Sequence, residues 1–450
     1  MRILVVGALS WHPERFRALH ERGHRLWGLW ARSMSWDQGP YPAVADCITQ
    51  VDVAAAARTI REQRIECVYS LFQVYDPALW GDPAPGVDDD VWTLLRILLR
   101  ERARGAFDAP IVQHWGFDVH NIDVEVAATL DDHIVCNRQK HDFWTAPQTA
   151  GGCGLQIFGE GATSFLDSDR PKLEFMNDRF AEPLSERDGE LHTVCIGRPF
   201  NIDYPAAAAR GIHVHVYGNS VDSVYAALAR DLSTRKARAS ARLFGRYLHV
   251  HEPLQGRRPC WPELRAAKSR WVEVFSRYDA GWSYIGQPLR WYPLDDLAAI
   301  PNRTGTYLLA GLPVITDVRP GSYRYEELRR LGVAIQLPAG DYDELARALT
   351  AERVTRRARE LARARRSSYS FDATIEPLLQ ALESARERYF ARPRADRTRF
   401  DANGRDNLIG LHSARRLTPG TYLGQARARL LGRVLRSRAR RGDVAGSGSG

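Results

Sequence analysis

The chain has 450 residues, 44% of them hydrophobic, so it is long enough for two domains with complete cores plus appendages. No apolar run approaches the roughly 18 residues that span a bilayer. The apolar run at residues 3–6 is too short for a signal peptide and predicts a first strand. The six cysteines are scattered without close pairs, which argues against disulfides or a zinc knuckle and favours a reducing cytoplasm.

The formal charge of +9 is a property of the C-terminal tail. Residues 391–450 contain 14 arginines and four aspartates, a net charge of +10, so the rest of the chain carries −1. Composition therefore gives no support to a nucleic-acid groove across the folded body.

One tail segment, residues 421–441, combines seven arginines with aliphatic residues at helical spacing. Three interpretations stay open: a helix on an anionic membrane surface, an arm that binds nucleic acid, and a solvated, disordered arm. The terminal GSGSG has the composition of a linker.

Strand and helix patterns alternate through the first part of the chain, which predicts a parallel, doubly wound sheet. The predicted strands are 3–6, 24–30, 66–72, 110–115 and 133–137, and the predicted helices are 12–22, 53–63, 91–102 and 124–130. Residues 138–190 are less regular, and we place the domain junction there.

A second β/α series follows the junction. Its predicted strands are 191–196, 212–217, 247–251 and 312–316, and its predicted helices are 221–231, 262–276, 305–310, 343–349, 354–363 and 375–392. We expect a first domain at 1–185, a second at 190–372, a separate helix at 373–392 and a flexible basic tail at 393–450.

Two stretches of the second series can hold an anion. Residues 279–316 predict a loop, a helix start near Asn302 and a buried strand, and a helix start presents unpaired N–H groups and a positive dipole end. Arg198 follows a strand directly, where its planar guanidinium can bind a phosphate. In doubly wound folds the ligand lies at such carboxyl ends of strands.

Four segments in this order resemble the donor domain of GT-B-fold glycosyltransferases, in particular the large retaining group that uses nucleotide sugars. They are IGRPF (196–200), HVHVYG (213–218), YDAGW (278–282) and PNRTGTYLLAGLPVI (301–315). The resemblance covers about residues 190–372. It implies an α/β protein with two Rossmann-like doubly wound domains facing a cleft, a C-terminal helix that crosses back to the first domain, and a basic tail.

We expect a cytoplasmic enzyme of bacterial or phage type, peripheral at the inner membrane face if the tail binds lipid. We expect it to be metal-independent, because arginine side chains and a helix dipole take the place of a metal ion. The expected enzyme needs no cofactor. Its co-substrate is a UDP- or GDP-type nucleotide sugar, and its acceptor is unknown. The resemblance assigns donor-phosphate binding to Arg198 and to Asn302, Arg303 and Thr304. Gly7 ends the first strand, where a glycine can let the backbone approach a donor phosphate or sugar.

The nucleoside positions implied by the resemblance are His251 and Thr306, and Thr306 stands where the family usually has a ribose-binding glutamate. Asp279 and Trp282 would line the donor sugar. The residues by themselves also allow Asp279 to cap a turn and Trp282 to pack in the core.

On the acceptor side, the turn HWGFD resembles the His-Gly-x-Asp turn of related enzymes, with Trp115 interrupting it. His114 or Asp118 would contact the reacting sugar or accept the proton of the acceptor hydroxyl. The alternative is a buried histidine and a helix-capping aspartate.

Two His-x-His pairs, His213/His215 and His249/His251, each place both imidazoles on one strand face. Because no carboxylate or cysteine spacing completes a metal site, we favour core or cleft histidines and expect no metal.

We expect a glycosyltransferase that moves a sugar to an acceptor hydroxyl, with Arg198 and the helix start at 301–306 holding the donor diphosphate. Two alternatives stay open: a glycosyltransferase acting on nucleic-acid bases with the tail as a tether, and a catalytically silent GT-B-like binding protein.

Overall fold

The computed structural model describes residues 1–7, 9, 13–31, 42–71, 91–115, 121–135, 141–142, 145, 163–165, 177–197, 202–218, 246–254, 259–283, 302–318, 320, 322–367, 371–400 and 408–410. Chain contacts divide them into two compact units. Unit 1 contains the described residues of 1–172, 258–262 and 371–416, and unit 2 contains those of 173–257 and 263–370. The predicted domain boundaries at 185 and 190 stay predictions.

The described part of unit 1 is built on a seven-stranded parallel sheet in the order β3-β2-β1-β4-β5-β7-β8. Its strands are β1 (Arg2–Gly7), β2 (Arg25–Trp30), β3 (Ile48–Gln50), β4 (Cys67–Leu71), β5 (Ile111–Trp115), β7 (Asp132–Val135) and β8 (Thr163–Phe165). The centre of β1 is a continuous apolar run because both faces of a parallel sheet are covered. In β1, residues 3–6 are all 0% exposed.

A separate antiparallel pair in unit 1 joins β6 (Asn121–Asp123) to β15 (Leu408–Gly410). The sequence patterns did not predict this pair, because three-residue strands carry almost no periodicity.

The helices of unit 1 are α1 (Pro13–Glu21), α2 (Ala56–Glu62), α3 (Val91–Ala103), α4 (Val124–Thr129), α13 (Asp372–Ala391) and α14 (Arg394–Arg397). The longest, α13, returns from the far end of the sequence to the core of this unit. Its Ile375, Leu378 and Leu382 are fully buried in one cluster with Ile3 and Phe16. The predicted C-terminal crossover helix is confirmed.

The described part of unit 2 is built on a six-stranded parallel sheet in the order β11-β10-β9-β12-β13-β14. Its strands are β9 (Leu191–Ile196), β10 (Ile212–Tyr217), β11 (Leu248–His251), β12 (Ala280–Trp282), β13 (Val314–Asp317) and β14 (Ala334–Leu337). Its helices are α5 (Leu184–Asp188), α6 (Tyr204–Ala208), α7 (Trp261–Ser269, starting in unit 1), α8 (Trp271–Phe275), α9 (Asn302–Leu309), α10 (Tyr323–Leu331), α11 (Tyr342–Thr350) and α12 (Glu352–Ala364).

The predicted fold class is confirmed: each unit is a doubly wound, Rossmann-like α/β layer structure. The predicted helix 262–276 is wrong as a single element, because the chain breaks at Arg270 into α7 and α8. There the Arg270 N–H bonds to Ala267 O, a three-residue step that tightens the turn. The predicted helix 221–231 lies outside the described residues. Among the described helices, none is both long and apolar enough to cross a bilayer.

Candidate functional site

The candidate site lies in unit 2, where the order of the sheet reverses. Strand β9 pairs with β10 on one side and with β12 on the other, all in parallel. The chain therefore winds outward in both directions from the gap between β9 and β12. In open α/β sheets this switch point, at the carboxyl ends of the strands, is where ligands bind.

Helix α9 is fixed against the ends of both switch-point strands by Tyr307. The Tyr307 hydroxyl accepts the N–H of Ile196 at the end of β9 (2.9 Å) and donates to Trp282 O at the end of β12 (3.2 Å). Gly281 makes room for the ring, because a Cβ at this position would lie 2.4 Å from it. A glycine inside a strand marks such a close approach.

Arg303, in the first turn of α9, brings positive charge to this position. Its Nη1 donates to Cys195 Sγ at 3.4 Å. Its Nη2 lies 3.6 Å from the position a Cβ would take on Gly197, the left-handed residue (φ +79°) that directly precedes Arg198. The Arg303 guanidinium therefore lies beside Gly197, and its contact with a donor phosphate stays a prediction.

The Cys195 thiol, which accepts the hydrogen bond from Arg303, is neutral. Burial raises its pKa, and the nearby Arg303 guanidinium pulls in the opposite direction with a smaller effect.

The start of α9 adds backbone donors to the same place. The first four N–H groups of an α-helix have no partner within the helix, and the dipole places partial positive charge there. The helix begins at Asn302, close to the expected helix start but three residues before the predicted helix 305–310. Arg198 itself lies outside the described residues, so its contact with phosphate stays a prediction.

Two threonines of α9 point into the protein. Thr304 is fully buried, and its hydroxyl lies 2.8 Å from the Ser283 hydroxyl. Thr306 is 5% exposed. The side chain of Thr304 therefore anchors the helix start to Ser283, directly after β12, and a contact of Thr304 with a phosphate stays a prediction.

Asp279 and Trp282, the predicted donor-sugar residues, have structural roles. The Asp279 carboxylate accepts the backbone N–H of His192 (2.7 Å) and the hydroxyl of Ser185 (2.5 Å) before β12 begins, at the opposite edge of the sheet from the strand ends. Trp282 is 1% exposed, and its indole N–H donates to Thr193 Oγ1 at 2.8 Å. Trp282 therefore packs in the core, as the residues had allowed, whereas Asp279 links the start of β9 to α5 and does so without capping a turn. A contact of either residue with the donor sugar stays a prediction.

In unit 1, the switch point falls between β1 and β4, and Gly7 ends β1 there. Its φ is +130°, and a Cβ would lie 2.1 Å from Leu71 O. Only glycine therefore fits at position 7, because a side chain there would collide with the backbone of β4. The prediction that Gly7 lets a phosphate or sugar approach the backbone stays a prediction.

His114 is held in a buried polar network on β5. It is 2% exposed, its Nδ1 lies 2.6 Å from the Tyr69 hydroxyl, and Arg15 Nη1 donates to that hydroxyl at 3.2 Å. The ring orientation is thus set by neighbours, as the positioning of a reacting group requires. Asp118 lies outside the described residues.

The predicted nucleoside residue His251 belongs to a cluster of five histidines on β9, β10 and β11. His251 Nε2 lies 2.9 Å from His215 Nδ1, and its ring stacks on Tyr217. Burial, followed by repulsion from Arg277, lowers the pKa of His251 to about 4. Its contact with a nucleobase stays a prediction.

The sequence argument against a metal was that nothing completes a site around the His-x-His pairs. A third histidine lies beside the first pair: His192 on β9 has a nitrogen within 4.8 Å of nitrogens of His213 and His215. Spacing in the sequence did not predict this contact, because 20 residues lie between His192 and His213.

No protein-family model matches the sequence, and no curated protein matches it. An alpha-glucosyltransferase (AGT) in complex with UDP is a similar solved structure, 11% identical with a TM-score of 0.49, matched over 85% of this chain and 100% of that chain. Trehalose-6-phosphate synthase is 12% identical with a TM-score of 0.49 over 85% and 99% of the chains. WaaG, a glycosyltransferase involved in lipopolysaccharide biosynthesis, is 13% identical with a TM-score of 0.45 over 85% and 99%.

Proposed function

We propose that the protein is a glycosyltransferase that takes a sugar from a UDP- or GDP-type nucleotide donor and transfers it to an acceptor hydroxyl. The observation that carries the proposal is the position of Arg303. Its guanidinium lies beside the Gly197 turn, at the start of α9 and at the switch point of the sheet. A guanidinium and a helix start together are a binding site for a diphosphate.

The positive charge of Arg303 and of the helix start would stabilise the leaving group of a glycosyl transfer. Glycosyl transfer builds negative charge on the departing nucleoside diphosphate, and preorganised donors stabilise that charge in the transition state. Arg303, Arg198 and the backbone N–H groups from Asn302 onward would supply them, so the scheme requires no metal. His114, oriented by Tyr69, and Asp118 would position the acceptor or accept its proton.

The test is the thermal stability of the full chain with UDP-, GDP-, TDP- and ADP-sugars. A ligand that binds only the folded state stabilises it, by about 2.7 kcal/mol at 100 times its Kd. We expect at least one nucleotide sugar to raise Tm, and we expect Arg303→Ala or Arg198→Ala to remove the increase.

Arg210→Ala is the matched control, because Arg210 pairs with Asp343 on the surface of the same unit. It should keep the full increase in Tm. If no nucleotide sugar stabilises the wild-type protein, or if Arg303→Ala responds like Arg210→Ala, the donor site is not where we place it.

A catalytically silent binding protein is the second candidate, favoured by Thr306. A buried threonine stands where the resemblance implies a ribose-binding glutamate. Release of nucleoside diphosphate from the stabilising donor, abolished by Arg303→Ala, would exclude this candidate. Binding without any turnover, across hydroxyl acceptors and water, would favour it.

A further inference from the structure

Five histidines share one face of the β9–β10–β11 half of the sheet in unit 2. The strands are parallel, and their register pairs His213 with His192 and His215 with His249. Side chains two residues apart on a strand point to the same face, so His213 and His215 both join this group. His192, His213 and His215 are each no more than 6% exposed.

Carboxylates hold the outer nitrogens of two of these rings. His192 Nε2 lies 3.0 Å from Asp188 Oδ2, and His213 Nε2 is hydrogen-bonded to Glu190 Oε2. Both rings therefore direct Nδ1 inward, toward the other histidines. A carboxylate behind the second nitrogen of an imidazole is the usual support of a metal-binding histidine.

The inward nitrogens converge on a small region. His192 Nδ1 lies 2.9 Å from His215 Nε2, and one ligand atom each from His192, His213 and His215 lies within 4.8 Å of the others. His249 is close by, with Nε2 at 2.8 Å from His213 Nδ1. Nitrogens at about 2.0–2.1 Å from a common zinc ion are separated by comparable distances, so small ring movements would bring three of them onto one ion.

We propose that His192, His213 and His215 form a site for a divalent transition-metal ion, with Asp188 and Glu190 as its supporting carboxylates. Imidazole ligands suit Zn²⁺, Cu²⁺ and Ni²⁺. Zn²⁺ is our choice because it accepts three histidines and a fourth ligand in tetrahedral geometry. His249 is the nearest imidazole for the fourth position. The site is separate from the donor site at the start of α9.

The hydrogen bonds between the rings allow the ion to enter without a net loss of protons. In the observed pairs, one consistent arrangement has His251 donating to His215 and His215 donating to His192 through their Nε2–H groups. If His215 Nε2 bound the ion, its proton would pass to solvent, His215 Nδ1 would take over the Nε2 proton of His251, and His251 Nδ1 would take up one proton from solvent, so that the proton count is unchanged. All rings stay neutral, as metal ligation requires.

The test is zinc binding to the full chain without a histidine tag, after chelator treatment and dialysis. We expect one tightly bound equivalent of Zn²⁺ in wild type and an increase of Tm on adding ZnCl₂. The double variant His192→Gln/His213→Gln should lose both. Co²⁺ in place of Zn²⁺ should give the visible absorption of a tetrahedral nitrogen site in wild type alone.

Asp188→Asn keeps the test decisive if the double variant does not fold, because Asp188 is about half exposed. Loss of a carboxylate behind a ligating histidine should weaken zinc binding about 10–100-fold. His20→Gln, at an exposed histidine of unit 1, is the matched control and should bind zinc like wild type. Zinc binding equal in wild type, Asp188→Asn and the double variant, or no zinc binding by wild type, would overturn the proposal.

Discussion

His133 shows how burial of one residue sets a pH dependence. It is 3% exposed in β7, and the indole N–H of Trp115 donates to its Nδ1 at 3.0 Å. Burial lowers its pKa to about 4, with the Ala127 backbone acting in the opposite direction. Since the unfolded chain has the ordinary pKa of about 6.5, protonation favours unfolding. The stability that His133 contributes is present above pH 6.5 and is lost as pH falls toward 4.

We expect the free energy of unfolding of wild type to fall by about 2 kcal/mol more between pH 7 and pH 5 than that of His133→Gln. Glutamine can still accept the Trp115 N–H but does not titrate. Urea unfolding of both proteins at the two pH values measures the difference.

Asp132, next to His133, changes the free energy of unfolding with pH in the opposite direction, and it does so in both wild type and His133→Gln. Burial raises its pKa to about 6, against the pull of Arg388, so its contribution is present below pH 3.8 and is lost as pH rises through 6. Because both proteins contain Asp132, its effect cancels in the comparison. Parallel pH profiles for wild type and His133→Gln would show that His133 titrates normally in the folded state.

At the scale of elements, the donor site depends on how closely α9 approaches β12. The Tyr307 ring occupies the space above Gly281, so its hydroxyl reaches backbone groups of both switch-point strands. A methyl group at Gly281 would force the ring and the helix start away from the sheet. Arg303 would move with them.

We expect Gly281→Ala to lower the free energy of unfolding by about 1–3 kcal/mol through overpacking and to weaken the nucleotide-sugar increase in Tm. In a Tyr307→Leu background, the cost of Gly281→Ala should fall by at least about 1 kcal/mol, because the obstructing ring is gone. A double-mutant cycle by urea unfolding measures this coupling.

Gly211→Ala is the control for the cycle. It lies in the same unit, and a Cβ at this position would have nothing within 4 Å, so the substitution should cost only about 1 kcal/mol for its positive φ of +68°. Its cost should be the same with Tyr307 or Leu at position 307. Additive behaviour of Gly281→Ala as well would mean that the ring and the glycine do not interact.

At the scale of the whole molecule, the charge is divided along the sequence. Residues 411–450 contain nine arginines and one aspartate, a net charge of +8, so removing them leaves a chain of +1. Arginine-rich segments bind polyanions through phosphate contacts whose strength falls with salt. The anion affinity of the protein, apart from its donor site, should therefore belong to the tail.

We expect the full chain to bind a short DNA duplex at low salt and the chain ending at Gly410 to bind it at least about tenfold more weakly, with a smaller dependence on salt. Fluorescence anisotropy over a salt series measures both quantities. The same measurement with anionic vesicles in place of DNA distinguishes a membrane-binding helix from a nucleic-acid-binding arm. The vesicle affinity of a membrane-binding helix should also fall when Leu430, Leu431 and Leu435 are replaced by serine. Equal DNA binding by both chains would assign the affinity to the folded units.

The elements that sequence predicted well have long or unambiguous patterns. The apolar run of β1 predicted a buried parallel strand, because burial of both faces gives a continuous apolar run. The amphipathic pattern predicted α13, because burial of one helix face gives apolar residues at helical spacing. The break at Arg270 and the pair of β6 with β15 were missed, because a single tightened turn and three-residue strands leave no such trace.

Within the candidate site, the sequence by itself indicated a helix start near Asn302, with Arg303 in this segment, because such a start depends on local order, although the predicted helix began only at residue 305. Only the tertiary structure decided which side chains meet. It placed Trp282 in the core and Thr304 against Ser283, and it joined His192 to two histidines of the next strand. The physical reason is register: parallel strands bring together residues that are far apart in sequence, and no local pattern records that alignment.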